Sequence, residues 1–139
     1  MQLIADVAGY FRAGAVSEPG MFVSLAPARV VDTRTTGGVL SANASRVVQV
    51  SGRGGVPSSG ATAVVMNTTV TAPTSGGSLT VYPNGVPKPL ASNLNFTPRL
   101  TIPNLVMGQI GVSGRVVAAN NSGGTVHVIA DVAGYYLAG

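Results

Sequence analysis

The chain of 139 residues contains no cysteine and no tryptophan, and it has only one lysine, Lys88, and one glutamate, Glu18. The absence of cysteine excludes disulfide bonds and thiolate chemistry. Because lysine, glutamate and leucine are the usual helix formers, their scarcity argues against a helical protein. No stretch approaches the roughly 18 consecutive apolar residues of a membrane helix, so no membrane span is expected.

Acidic residues are also few, and the four of them leave a net charge of +4 at pH 7. The eight basic residues never form a run, whereas a nucleic-acid-binding protein normally clusters its positive charge on one face or along one helix. Dispersed arginine favours solubility and the protection of strand edges, so no nucleic-acid partner is expected. The same charge would suffice to attract an anionic wall polymer.

What the sequence does contain is typical of β-structure, namely 19 glycines and 9 prolines between segments rich in valine and threonine. Residues 62–72 alternate between apolar and polar, whereas 2–11 and 125–136 are apolar on both faces, as central strands between two layers are. We predict an all-β fold, a single β-sandwich or closed barrel of about ten mostly antiparallel strands with no significant helix. The predicted strands are 2–11, 21–25, 28–33, 45–50, 62–72, 78–82, 91–96, 104–112, 114–119 and 125–136.

The two ends of the chain carry the same strand. Residues 4–14 (IADVAGYFRAG) and 129–139 (IADVAGYYLAG) match at nine of eleven positions, at an offset of 125 residues. The repeat predicts that 1–14 is the last strand of a preceding repeat, 15–20 a linker and 21–139 one complete β module. An extra apolar strand is a template for association, so self-association into a homo-oligomer or fibre, or pairing with neighbouring repeats, is expected. The side chains that define this assembly strand are Leu3, Ile4, Val7, Tyr10 and Phe11.

Six motifs follow one another along the chain: PARVVDTR at 27–34, GGVP at 54–57, AVVMNTTVTAPT at 63–74, LTVYPNG at 79–85, ASNLNF at 91–96 and VIADVAGYY at 128–136. Together they resemble the repeat modules found, often in several copies, in large secreted and cell-surface proteins of actinomycete-type bacteria. The resemblance covers almost the whole chain and implies export and a multi-domain parent. It brings no ligand, cofactor or catalytic residue with it. Because the first residues lack the pattern of a signal peptide, the export signal is expected elsewhere in the parent.

The inventory of reactive side chains argues against an enzyme. His127 is the only histidine, and its nearest acid, Asp131, lies four residues along the same strand face, about 13 Å away. A catalytic base and its orienting carboxylate must lie within hydrogen-bonding reach, so no hydrolase dyad is expected. No loop carries the several carboxylates that calcium prefers, so neither a metal site nor a cofactor is expected.

The few aspartates favour a structural role instead. An acid in an apolar strand needs a cationic partner when it is buried. Two of the acids could also meet as the paired carboxylates of a glycosidase, but an aspartate–arginine pair is the favoured interpretation. We predict structural ion pairs among Asp32, Asp131, Arg29 and Arg34.

A carbohydrate- or cell-wall-polymer-binding module is the alternative function. The usual platform for a sugar is an exposed aromatic ring, and the tyrosine beside the turn at 83–85 is the best candidate. Polar side chains on strand faces would supply hydrogen bonds, although the same residues also fit ordinary cross-strand polar pairs. The candidate ligand-binding residues are Tyr82, Asn84, Asn67, Thr69, Asn93 and Asn95.

These observations predict a non-catalytic, extracellular or cell-surface repeat module with a structural or adhesive role, which assembles through strand pairing. A glycan or an anionic wall polymer is the alternative partner.

Overall fold

In a computed structural model, the described part of the chain is residues 17–139, together with Leu3, Tyr10 and residues 13–15. It is all-β, with two four-stranded antiparallel sheets and a single 3₁₀ turn, at Val112–Gly114. Within this part no helix is long and apolar enough to cross a membrane. The eight strands are β1 (Phe22–Asp32), β2 (Ser45–Gln49), β3 (Ala61–Thr71), β4 (Gly77–Pro83), β5 (Leu94–Phe96), β6 (Ile102–Gln109), β7 (Arg115–Ser122) and β8 (His127–Leu137).

The strand order of the first sheet is β1-β8-β3-β6, and that of the second sheet is β2-β7-β4-β5. The last strand of the chain, β8, therefore lies in the interior of the first sheet, between β1 and β3. This position confirms the prediction that the doubly apolar segment 125–136 is a central strand. The edges of the first sheet are β1 and β6, and those of the second are β2 and β5.

One cluster of buried hydrophobic side chains takes members from both sheets. The predicted alternation in β3 is confirmed, because Val64, Met66 and Val70 are at most 1% exposed whereas Asn67 is exposed. The same holds in β5, where residues 94 and 96 are buried and residue 95 is exposed. The largest fully buried side chains include Met66, Leu79, Val50, Val106, Val116, Val126, Val128 and Val132.

The prediction of an all-β fold is confirmed, but its strand count is not. The described residues hold eight strands in two open sheets rather than about ten, because the candidates 21–25 and 28–33 are one strand, β1, with irregular pairing to β8 between Ser24 and Ala28. Of the candidate strand 2–11, only Leu3 and Tyr10 belong to the described residues. Strand β7 also extends to Ser122, so the predicted turn at 120–124 begins three residues later, at residue 123.

The start of β1 and the end of β8 lie side by side. Phe22 is paired with Tyr136, and their ring centroids are 5.2 Å apart. The amide of Leu137 donates to the carbonyl of Met21, and the amide of Gly20 donates to the carbonyl of Leu137, both at 3.0 Å. The end of the predicted linker 15–20 is thus bonded to the last strand.

Candidate functional site

An ion-pair network crosses from β1 to β8 on the first sheet. Because Arg29 and Asp131 are register partners in the two strands, their side chains reach each other directly. The guanidinium of Arg29 binds Asp131 with two hydrogen bonds, Nε to Oδ1 at 2.8 Å and Nη2 to Oδ2 at 3.1 Å. Such paired contacts fix the geometry of both groups, so this contact holds the edge strand against the central one.

Asp32 extends the network at the end of β1. Its carboxylate accepts from Arg34 Nε at 2.9 Å and from Arg34 Nη2 at 2.7 Å, and from Arg29 Nη1 at 3.2 Å. The backbone amide of Arg34 donates to the same carboxylate, at 3.0 Å. The side chain of Asp32 is only 9% exposed, whereas those of the two arginines are about half exposed.

These contacts set the protonation state of the group. The hydrogen bond from Arg34, together with the charges of Arg34 and Arg29, holds the pKa of Asp32 well below its ordinary value of 3.8. In return, the hydrogen bond to Asp131 raises the pKa of Arg29, and that to Asp32 raises the pKa of Arg34. The structure thus brings together all four residues that the sequence analysis paired, and both carboxylates are bound by guanidinium groups.

A cleft of about 480 Å³ opens beside this network, where the edge strands β1 and β2 of the two sheets face each other. Two arginines that the sequence analysis did not single out, Arg46 of β2 and Arg53 of the following loop, line it together with Arg29. Because these arginines never form a run in the sequence, the sequence pattern predicts only dispersed charge. The lining residues are Arg29, Val30, Val31, Asp32, Thr35, Thr36, Arg46, Val47, Val48, Gln49 and Arg53. We call this feature the arginine cleft.

The six candidate ligand-binding residues do not form one cluster. Asn67 and Thr69 lie on β3 of the first sheet, with Asn67 exposed beside its register partner Asp131. Tyr82 lies on β4 of the second sheet, half-buried and opposite Val117 of β7. No residue of this set lines the arginine cleft.

Two of the candidate asparagines stabilise loops. Asn93 accepts a hydrogen bond from the amide of Val81 at its Oδ1, at 2.7 Å, and donates from its own amide to Leu79, at 2.9 Å. Asn84 donates from Nδ2 to the carbonyl of Val112 at 3.1 Å. Asn95 is exposed, and its Oδ1 accepts from Ser92 at 3.2 Å. Each of these three side chains thus has one of its two polar groups bonded within the chain.

His127 is held by a neighbouring hydroxyl group. Its Nδ1 lies 3.0 Å from Oγ1 of the buried Thr33, and that oxygen accepts from the amide of Val128 at 2.8 Å. Which of the two groups donates in this contact depends on which ring nitrogen carries the proton. In the part of the chain that the structure describes, no group of three histidine, cysteine, aspartate or glutamate residues could hold a metal ion.

Of the predicted assembly strand, the structure describes only Leu3 and Tyr10, whose side chains are 84% and 87% exposed. Ile4, Val7 and Phe11, with most of the predicted segment 1–14, lie outside the described residues.

No family model and no curated protein matches this chain. The features of the chain that bear on its function are the position of β8 and the arginine cleft.

Proposed function

We propose that this chain is a non-catalytic, extracellular structural or adhesive repeat module, and that it assembles with further copies through strand pairing. In this proposal the two sheets stack as a β-sandwich, which the hydrophobic cluster with members from both sheets supports. The single observation that carries the proposal is the interior position of β8, whose sequence occurs a second time at the other end of the chain.

The place of β8 in the first sheet is specific for its sequence. Its neighbours on both sides are strands of the same module, β1 and β3. It requires an acid at Asp131 to bind Arg29, a small apolar side chain at the fully buried Val132, and a residue without Cβ at Gly134, beneath the ring of Phe22. A one-residue shift would turn each of these side chains to the wrong face.

The second copy of the strand meets each of these requirements. At the offset of 125 residues, Asp6, Val7 and Gly9 correspond to residues 131, 132 and 134. The two differences are mild in this position. Phe11 replaces Tyr136, which keeps the ring that contacts Phe22 and loses only a hydroxyl bond to Met107 at 3.5 Å. The other, Arg12 for residue 137, falls where the backbone makes the contacts.

Burial of the apolar surface of the extra copy would favour assembly. Leu3 and Tyr10 are almost fully exposed, and burial of such surface contributes about 25 cal/mol for each Å² removed from water. A copy of the strand from one molecule can enter between β1 and β3 of another only by displacing the β8 that lies there, so burial is gained only when the displaced strand pairs in turn with a sheet edge of a further copy. Head-to-tail exchange of this kind gives a ring when its rotation closes and a fibre when it does not.

The contacts of the acids support a role without catalysis. Asp32 and Asp131 are both bound by guanidinium groups, and His127 contacts a threonine hydroxyl. The carboxyl group of Asp32 stays ionised and has no proton to donate near neutral pH, because its pKa is held below its ordinary value. Secretion and attachment to a cell surface are part of the proposal through the motif resemblance.

The test is the mass of the protein in solution. We expect the full-length chain to form oligomers by light scattering, and a variant that lacks residues 1–14 to be a monomer with the same β circular dichroism spectrum. Val7→Pro should also abolish assembly, because proline cannot donate to a strand ladder. Ala13→Pro, which lies at the end of the repeated segment, is the matched control and should assemble like the unchanged chain.

Assembly through the repeated strand is wrong if the full-length and truncated chains have the same number of subunits at every concentration. If both are monomers and also melt at the same temperature, the second copy of the strand makes no contribution to the fold. The module would then have a structural role without assembly, as a spacer between neighbouring domains.

A further inference from the structure

We infer that the arginine cleft binds an acidic oligosaccharide through the carboxylate or phosphate groups of the sugar chain. This inference goes beyond the proposed structural role, and it does not depend on strand exchange. The cleft is open to solvent along the facing edges of β1 and β2. Its volume of about 480 Å³ lies within the range of small-molecule sites, about 300–1,000 Å³.

The charges that line the cleft do not balance. Arg29 is neutralised by the two carboxylates of Asp131 and Asp32, which it shares with Arg34. Arg46 and Arg53 form no ion pair with any residue that the structure describes. The cleft therefore carries about two positive charges in excess, and an anion can approach it from solvent.

One of the two surplus arginines is already held in position. Nη2 of Arg46 donates to the carbonyls of Gly37 and Gly38, at 2.6 Å and 3.2 Å. The rest of this guanidinium group makes no further hydrogen bond within the described residues. A side chain that is fixed before the ligand arrives loses less conformational entropy on binding. Arg53 is exposed on the adjacent loop and completes the pair.

The other lining side chains indicate the kind of anion. Thr36 offers a hydroxyl, and Val30, Val31 and Val47 supply an apolar surface. Among the described residues no aromatic side chain lines the cleft, so none of them offers a neutral sugar or a nucleobase a ring on which to stack. Recognition must then come from the guanidinium groups, which bind carboxylate and phosphate oxygens in pairs. A chain of acidic sugars supplies such groups at regular spacing and also hydroxyls for Thr36.

The experiment is a calorimetric titration of the full-length chain with three oligosaccharides of equal length: oligogalacturonate, a phosphorylated maltooligosaccharide and a neutral maltooligosaccharide. We expect one or both acidic oligomers to bind, with affinity that falls as salt is raised. The stronger of the two identifies whether carboxylate or phosphate is the natural group. The neutral oligomer should not bind measurably.

Variants place the binding in the cleft. Arg53→Gln should weaken binding about fivefold, as loss of one exposed charged contact does, and Arg46→Gln should weaken it further. Arg99→Gln removes the same charge from another exposed arginine, which lies in a separate depression with Ala72, Pro73 and Thr74. This matched control should bind like the unchanged chain. Since Arg46 also holds a loop, Arg53→Gln alone decides the test if the Arg46 variant fails to fold.

Three outcomes would overturn the inference. The first is that neither acidic oligomer binds. The second is that Arg53→Gln and Arg99→Gln reduce the affinity equally, which would indicate attraction to net charge alone. A single-stranded oligodeoxynucleotide of the same charge that binds more tightly than both sugars would make the cleft a nucleic-acid site. None of these results bears on assembly through residues 1–14, which is tested separately by light scattering.

Discussion

Thr68 and Thr80 are two buried threonines whose hydroxyl groups have opposite surroundings. Oγ1 of Thr68 is buried and has no hydrogen-bond partner among the described residues, whereas Oγ1 of Thr80 donates to the carbonyl of Ala91 and accepts from Asn121, both at 2.8 Å. Because an unpaired buried hydroxyl costs free energy, Thr68→Val should raise the free energy of unfolding by about 1 kcal/mol. Thr80→Val, the matched control, should lower it by about 1–2 kcal/mol. Urea unfolding measures both, and equal effects would contradict the prediction.

Asp32 should make the stability of the protein depend on pH in acid. Its pKa in the folded chain is held below the ordinary value of 3.8. A carboxyl group with a lowered pKa stabilises the fold above its unfolded pKa, and this stabilisation is lost as pH falls toward the folded pKa. Asp32→Asn should therefore melt below the unchanged chain at neutral pH, and the gap should narrow below about pH 4. A gap that is constant with pH in thermal melts would show that Asp32 is not the group responsible.

Buried polar residues are the features that the sequence reveals least. Asn120 belongs to a run of polar and glycine residues that predicts a hairpin turn, yet it lies in β7 and is 1% exposed. Its Nδ2 donates to the carbonyls of Ser41 and Gly124, and its Oδ1 accepts from Ser122. The partner Ser41 is 79 residues away along the chain. A pattern of neighbouring residues does not contain a contact at that distance, so only the folded structure shows it.

At the scale of strands, Gly134 fixes how β1 packs across β8. A Cβ added at this position would lie 2.3 Å from the ring of Phe22 and 2.6 Å from the carbonyl oxygen of Val23. Because the backbone oxygen cannot move aside, Gly134→Ala should lower the free energy of unfolding by about 1–3 kcal/mol. Gly123→Ala is the control, since nothing lies within 4 Å of its added Cβ. Chemical denaturation compares the two, and similar losses would mean that the close contact is relieved at little cost.

The prolines mark the edges of the first sheet, which the sequence analysis did not use. Pro27 lies within β1 and Pro103 within β6, and both are edge strands, whereas β8 and β3 between them contain none. Proline cannot donate to a ladder and is tolerated where one side of the strand is unpaired. The predicted strands 21–25 and 28–33 lie on either side of this proline, which is within the single strand β1. Alternation predicted which residues of β3 and β5 face the core, since it depends only on adjacent residues.

At the scale of the whole molecule, composition predicts the β class but not the order of the strands. The scarcity of helix formers and the frequency of valine, glycine and threonine are properties of the entire chain. The arginine cleft, in contrast, exists because β1 and β2 are edges of different sheets that face each other. Arg29, Arg46 and Arg53 come together only through this arrangement. The aspartate–arginine ion pairs were predictable because a buried carboxylate needs a cationic partner, and the chain has few acids and many arginines.

The adjacent ends of β1 and β8 determine how the module resists mechanical tension. A pull on Met21 and Ala138 acts across the β1–β8 ladder at its terminal pair, Phe22 and Tyr136, so the hydrogen bonds, which run perpendicular to the strands, are loaded one after another. A pull on Met21 and Gly123 acts along the strands and loads all the hydrogen bonds of this ladder together. The chain has no cysteine of its own, so Met21→Cys with Ala138→Cys, or Met21→Cys with Gly123→Cys, supplies unique handles for single-molecule force spectroscopy. The first pair should open at the lower force, so that a tandem array yields by unzipping unit by unit and lengthens gradually under load; equal forces would contradict this geometry.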